Sequence, residues 1–299
     1  MSTYSLLLVI TAAIAHATWN LIAKRAANVG PVFVFAYSVC GVILFTPWVV
    51  WILLHDQGRW DTAAIACIAL SGAVHLAYGL CLQRGYQVAD LSVVYPVARG
   101  TGPMLSTIGA FAFLHEPASV GGVGGMLCVV IGVMMIATQG RLGKLLQRES
   151  MIGVRWGVVT GALIACYTLI DAYGVKTLLI APVVFDWAAT GARAAFLFPH
   201  LLRKPQKSID AMRGKWHLAW IVGFLSPLGY ILVLLALQDG SPVSLVAPAR
   251  EMSMLLATIA GLYLLREPVG WGRMLGCILI GGGVVLLASS SKYPDIKIR

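Results

Sequence analysis

Arg99, Arg250 and Glu251 each sit in the middle of a long apolar stretch of the chain. An ionisable side chain at the centre of a membrane-spanning helix costs roughly 2.5–3.5 kcal/mol on insertion scales. Three of them cost on the order of 8–10 kcal/mol if they face lipid, comparable to the whole stability of a domain. They must face one another, a cavity, or both.

Other polar and aromatic residues recur around them at helical spacing. Ser92, Tyr95, Pro96, Arg99, Pro103 and Ser106 make one small polar stripe; Ser244, Pro248, Glu251 and Thr258 repeat it further on. His16 and Asn20 lie one turn apart with Trp19 beside them, and Tyr167 and Asp171 share that spacing. His75 and Tyr78 form a third set, and Tyr230 follows Ser226 and Pro227. These types suit recognition more than bond-making. Arg99 or Arg250 can take a carboxylate, Glu251 or Asp171 an ammonium, and the aromatic rings an apolar group. Pro96, Pro103 and Pro248 each remove a backbone hydrogen bond, which kinks a helix and leaves carbonyls free to line a cavity.

Bond-making signatures are missing. The chain has no HExxH, GxSxG, GxxxxGK(S/T) or CxxC, and its six cysteines all fall inside apolar runs, where they read as packing residues. No metal, no cofactor and no enzymatic activity are expected.

The elements that carry these residues follow from bulk composition. The chain is 59% hydrophobic and 11% charged, with mean hydropathy +0.84, whereas a soluble domain is about a quarter charged. This is the composition of a polytopic membrane protein. The net charge of +10 resides mainly in short loops, without a basic stripe among aromatics, so nucleic acid is not an expected partner. The motif "AHA" at residues 15–17 imitates a signal-peptidase site, but no basic side chain precedes the apolar run, which therefore reads as a true span. At 1.5 Å per residue and about 30 Å of hydrocarbon, ten segments are long enough to cross. They are roughly 4–23, 31–54, 62–82, 90–114, 118–138, 155–176, 182–202, 216–238, 242–265 and 269–289.

Two loop sequences then organise the ten. "FLHEPASVGG" (113–122) and "LLREPVGWGR" (264–273) align without gaps at an offset of 151 residues. The same offset pairs Pro31 with Pro182, Gln87 with Gln238, Arg99 with Arg250, Thr107 with Thr258 and Gly132 with Gly283. The halves are 1–139 and 155–290, joined by a loop at 140–154. Each half has five spans, an odd number, so the second must enter the bilayer from the opposite side. The expected fold is all-α, with ten transmembrane helices as two inverted five-helix repeats around a central cavity. Glu116 and Glu267 precede a proline at a span junction, where each is expected to cap the helix that follows. The glycines of the fifth and tenth spans permit close helix approach and are expected to be packing elements, even a homodimer seam. Loops after odd-numbered spans, with Arg141, Arg213 and Lys215 among them, hold most of the basic residues; that bias places them in the cytoplasm and both termini outside.

The repeated pattern of a mid-span proline, Leu-x-Glu-Pro and downstream glycines, at Pro96 to Gly132 and Pro248 to Gly283, resembles paired EamA domains of the drug/metabolite transporter superfamily. Among its branches the chain is most similar to the amino-acid exporters of the YddG type. The resemblance implies a secondary transporter of the cell inner membrane that exports amino acids or similar small metabolites by alternating access. Export of amphiphilic drugs or cations is the alternative, and an intramembrane enzyme acting on a lipid-linked substrate is the rival class. The implied partners are a small-molecule substrate and membrane lipid, with a homodimer conceivable.

Overall fold

Local signals start and stop the helices. Pro31, Pro182 and Pro205 occupy first helical positions, where a missing N–H costs nothing. Ser2, Asp61 and Ser119 accept from the Ser5, Ala64 and Gly122 N–H groups at 3.0, 2.8 and 3.0 Å. Gln139, at φ 54°, and Gly140, at φ 80°, turn the chain out of a helix in the left-handed region. The computed structural model describes residues 2–26, 29–55, 61–89, 91–141, 143, 147, 150–202, 205–256, 258 and 270–290.

Among the described residues every regular element is helical. They are α1 (Thr3–Lys24), α2 (Pro31–His55), α3 (Thr62–Val88), α4 (Leu91–Phe113), α5 (Val120–Thr138), α6 (Met151–Lys176), α7 (Pro182–Leu202), α8 (Pro205–Ala211), α9 (Trp216–Gln238), α10 (Val243–Ala249) and α11 (Trp271–Ser290). Seven of them, α1, α2, α3, α5, α6, α9 and α11, are long and apolar enough to cross a membrane. The short α8 inside the polar 203–215 break was not expected. Glu267 and the rest of 259–269 lie outside the described residues.

Helices α4 and α10 carry the proline stripes and differ. α4 stays one helix across Pro96 and Pro103. α10 stops just after Pro248, Arg250 and Glu251 form a turn, and helix resumes at 252–256. The turn is tight, with N–H groups of Glu251, Ser253 and Met254 donating three residues back at 3.0, 3.2 and 2.9 Å.

Packing pairs α5 with α11, α4 with α6, α1 with α9, α3 with α6, and α2 with both α7 and α9. Glycines set the closest approaches. A Cβ added at Gly125 would meet the Gly283 carbonyl oxygen at 2.8 Å, and one at Gly283 would meet that of Gly125 at 2.8 Å. Gly132 and Gly276 are related in the same reciprocal way, at 2.8 and 2.7 Å. The glycine seam is therefore a contact within the chain, between α5 and α11. This is the close helix packing expected of these glycines. Backbones at such distances leave no room for any side chain.

Glu116 keeps its expected capping role but serves a different helix. Its carboxylate accepts from the N–H groups of Val243 and Ser244 at 2.6 and 2.9 Å and from Ser244 Oγ at 2.7 Å. It thus caps α10, in the other half, while Ser119 caps the adjacent α5. Lys176 Nζ completes the joint, 3.4 Å from Glu116 Oε1 and donating to the Ser241 carbonyl at 3.2 Å. The reason is packing: α4 lies against α10, so the loop leaving α4 reaches the free amides of α10.

Candidate functional site

The helices enclose a chamber of about 130 Å³. Taking ~10–15 Å³ for each water-sized position, that is room for roughly ten. Nine of the twelve residues singled out by type and spacing line it: His16 and Trp19 of α1, His75 and Tyr78 of α3, Arg99 of α4, Tyr167 and Asp171 of α6, Tyr230 of α9, and Arg250.

One wall is built on Asp171, which is wholly buried. Ser71 Oγ donates to its Oδ1 at 2.6 Å, His75 Nε2 lies 3.1 Å from its Oδ2, and the Tyr230 hydroxyl donates to the same oxygen. Three helices are tied together there. His75 stacks on Tyr167 with centroids 4.0 Å apart, and Tyr167 meets Tyr78 and Tyr230 edge-on at 5.7 and 6.2 Å. Such a carboxylate is fully employed by its own protein.

The two arginines at equivalent repeat positions are not equivalent in their surroundings. Arg99 Nε lies 2.8 Å from Glu251 Oε2 as a buried ion pair, though its N–H points off that line. Its Nη2 donates to Ser253 Oγ at 3.2 Å, and the Tyr95 ring lies 5.9 Å from the guanidinium carbon. Arg250 is only 5% exposed, lines the chamber, and has neither Nε nor Nη2 bonded to any described residue. A guanidinium is charged throughout any physiological range. With Nε and Nη2 unbonded to any described residue, it presents donors in a fixed fork suited to a planar anion.

Three of the singled-out residues do not line the chamber. Asn20 is exposed, and its side-chain amide donates back to the His16 carbonyl at 2.7 Å. Tyr95 packs against the main apolar core, and Glu251 is consumed by Arg99. Helical spacing gives a face of the helix, but not which polar atoms on it reach the chamber or find a partner inside the protein. Of the prolines, Pro227 lines the chamber, while Pro96 and Pro103 are buried away from it.

Other lining residues were not singled out, chiefly Tyr37 of α2 and Asp186, Thr190 and Arg193 of α7. Asp186 and Arg193 are seven apart, two turns along one helix face. That spacing of two costly charges in a span was a usable signal. The rotation of α7 is fixed by Trp187, whose indole N–H lies 3.0 Å from the Val42 carbonyl and 3.1 Å from Thr46 Oγ1. The Arg193 guanidinium sits 5.8 Å from the Tyr37 ring centroid.

With this geometry in hand, relatives become informative. The model of the EamA-like transporter family matches residues 3–138 and again 151–289. The chain belongs to the EamA-like transporter family. It is a multi-pass membrane protein in which two EamA segments follow one another. Over 78 residues it is 32% identical to the probable 4-amino-4-deoxy-L-arabinose-phosphoundecaprenol flippase subunit ArnE of Pseudomonas fluorescens (strain Pf0-1). That match takes in 26% of this EamA chain and 68% of the relative. A solved structure titled only "Crystal structure of protein" superposes with TM-score 0.75 at 15% identity, over 99% of this chain and 100% of that one. At that identity the likeness concerns the fold alone.

Proposed function

We propose that this EamA protein is a secondary transporter of the cell inner membrane that exports amino acids or similar small metabolites by alternating access through the chamber. Arg250 carries the reading: a buried guanidinium with open donors, facing a chamber of about 130 Å³, is suited to receive a carboxylate. The aromatic wall of Tyr78, Tyr167 and Tyr230 supplies an apolar surface beside it.

Ten spans in two inverted halves suit this action, because opposed repeats give a carrier two related conformations. The reciprocal glycine contacts support that arrangement. Under the 151-residue offset Gly125 corresponds to Gly276 and Gly132 to Gly283, so the contact of Gly125 with Gly283 maps onto that of Gly276 with Gly132. Gly41 against Gly223 maps likewise onto Gly72 against Ala192. The bias of basic loops puts residues 140–155 and 203–215 in the cytoplasm.

A second reading comes from the flippase subunit. The name of that protein specifies an amino sugar joined through phosphate to a lipid, and Arg250 would serve a phosphate as readily as a carboxylate.

Counterflow in liposomes holding the purified protein tests the choice. An unlabelled amino acid inside should drive uptake of the labelled one, leave it chemically unchanged, and fail with Arg250→Gln. Absence of counterflow for every amino acid, with labelled lipid-linked amino sugar crossing instead, would overturn the first reading in favour of the second.

A further inference from the structure

Charged groups around the chamber separate into those already employed and those left over. Glu251 is held by Arg99 and Asp171 by Ser71, His75 and Tyr230. Arg193 turns toward the Tyr37 ring, with its Nε unbonded to any described residue. Two further groups, of opposite sign, are open as well. Arg250 has unbonded Nε and Nη2, and Asp186, 8% exposed and lining the same chamber, has an Oδ2 with no donor among the described residues. A buried carboxylate oxygen without a donor is costly unless something arrives to satisfy it.

Formal charges point the same way. Arg99 and Glu251 cancel, and Arg193 and Arg250 are matched in number by Asp171 and Asp186 with the histidines counted neutral. A ligand that keeps this balance is neutral overall, and one that meets both leftover groups carries both signs.

We infer that Asp186 is the subsite for the ammonium group of a zwitterionic substrate whose carboxylate is held by Arg250. This rests on the transport reading above and adds to it the residue that separates an amino acid from a plain carboxylic acid. The two carboxylates first suggested for that task by sequence, Glu251 and Asp171, are the two the fold has already used. The rotation that presents Asp186 is set by Trp187, which donates to Val42 of α2, and by Gly72 of α3, whose missing side chain lets Ala192 approach.

The test compares leucine, 4-methylpentanoate and leucine methyl ester as competitors of counterflow, in the wild type and in Asp186→Asn. Losing a charge-assisted hydrogen bond corresponds to a change of about 10- to 100-fold in affinity. The wild type should prefer leucine to 4-methylpentanoate by that factor. Asp186→Asn should lose the preference by weakening leucine, with 4-methylpentanoate unchanged within about twofold. In Arg250→Gln, where counterflow is lost, binding read as ligand-induced shifts of the melting temperature should instead weaken for leucine and 4-methylpentanoate together and be spared for the methyl ester. Asp186→Ser repeats the measurement if the amide variant is not monodisperse in detergent. Unchanged selectivity in a folded Asp186 variant, or equal weakening of leucine and 4-methylpentanoate, overturns the assignment while leaving the transport reading intact. No counterflow of any amino acid by the wild type overturns both.

Discussion

The seam between α5 and α11 and the chamber use the internal repeat in opposite ways. At the seam, equivalent glycines make equivalent contacts at nearly equal distances. Among the described chamber residues the repeat keeps one charged pair, Arg99 and Arg250, and of the two Arg99 holds the ion pair with Glu251 while Arg250 keeps Nε and Nη2 unbonded. Asp171 corresponds to Asn20, Asp186 to Phe35 and Tyr230 to Gly79. Packing between backbones is unforgiving in both EamA segments, so it holds both copies to one solution. A ligand has no such symmetry, and a site for it gains from walls that differ.

The strongest way to break this comparison is to fill the seam. Gly125→Val combined with Gly132→Val places a side chain against backbone oxygen at both crossings. Overpacking usually costs about 1–3 kcal/mol when neighbours can yield, and backbone carbonyls cannot yield locally. The double variant should give no monodisperse protein on size-exclusion chromatography. A folded and active product would mean that the close approach is dispensable.

Next come the two arginines, which should fail for different reasons. Arg99→Gln strands Glu251, which is buried and ionisable, at a cost of about 3–5 kcal/mol. It should lower the melting temperature sharply. Arg250→Gln strands nothing, so its melting curve should stay near the wild type while counterflow falls at least about tenfold. Equal melting temperatures for the two variants would show the apparent asymmetry of their surroundings to be without consequence.

These outcomes bear on how much the sequence foretold. The polytopic helical class is written in composition, and Arg99 and Arg250 announce themselves by their cost in an apolar run. Periodicity also placed nine of twelve chosen side chains on the chamber. It failed for Asn20, whose amide found a carbonyl one turn away, because rotamer choice depends on local competition and not on spacing. It passed over Asp186 because a charged residue near a span end suits an interface equally well, and over Arg193, near the middle of α7, although its cost there was the same signal that marked Arg99 and Arg250. Glu116 was legible as a cap but not the helix it caps: its partners are 127 and 128 positions away, and only the docking of the two halves brings them together.

That docking suggests a milder perturbation. Glu116→Gln keeps the size and one acceptor but weakens the contacts to two amides, a hydroxyl and Lys176. A loss of about 1–2 kcal/mol is expected, from hydrogen bonds to a charged group and the favourable end of the α10 dipole. Thermal melts should fall modestly and substrate selectivity should not change. Altered selectivity would tie this joint to the chamber after all.

The smallest effect is expected at the surface joint between the start of α1 and the end of α9. Ser5 Oγ donates to Asp239 Oδ2 at 2.6 Å, and Ser2 Oγ lies 2.8 Å from the same oxygen. These hydroxyls, Ser5 first, hold the exposed Asp239 carboxyl below the usual aspartate range. A depressed folded value means that the contact stabilises the protein above the ordinary aspartate pKa and is lost as pH falls through the folded one. The glycine seam has no titrating group and should show no such dependence. Ser5→Ala should therefore melt slightly below the wild type at neutral pH, with the gap closing as the pH drops below the ordinary aspartate range. A gap that stays constant with pH would assign the loss to packing of the buried Ser5 side chain, and Asp239 would then contribute nothing to holding the two halves together.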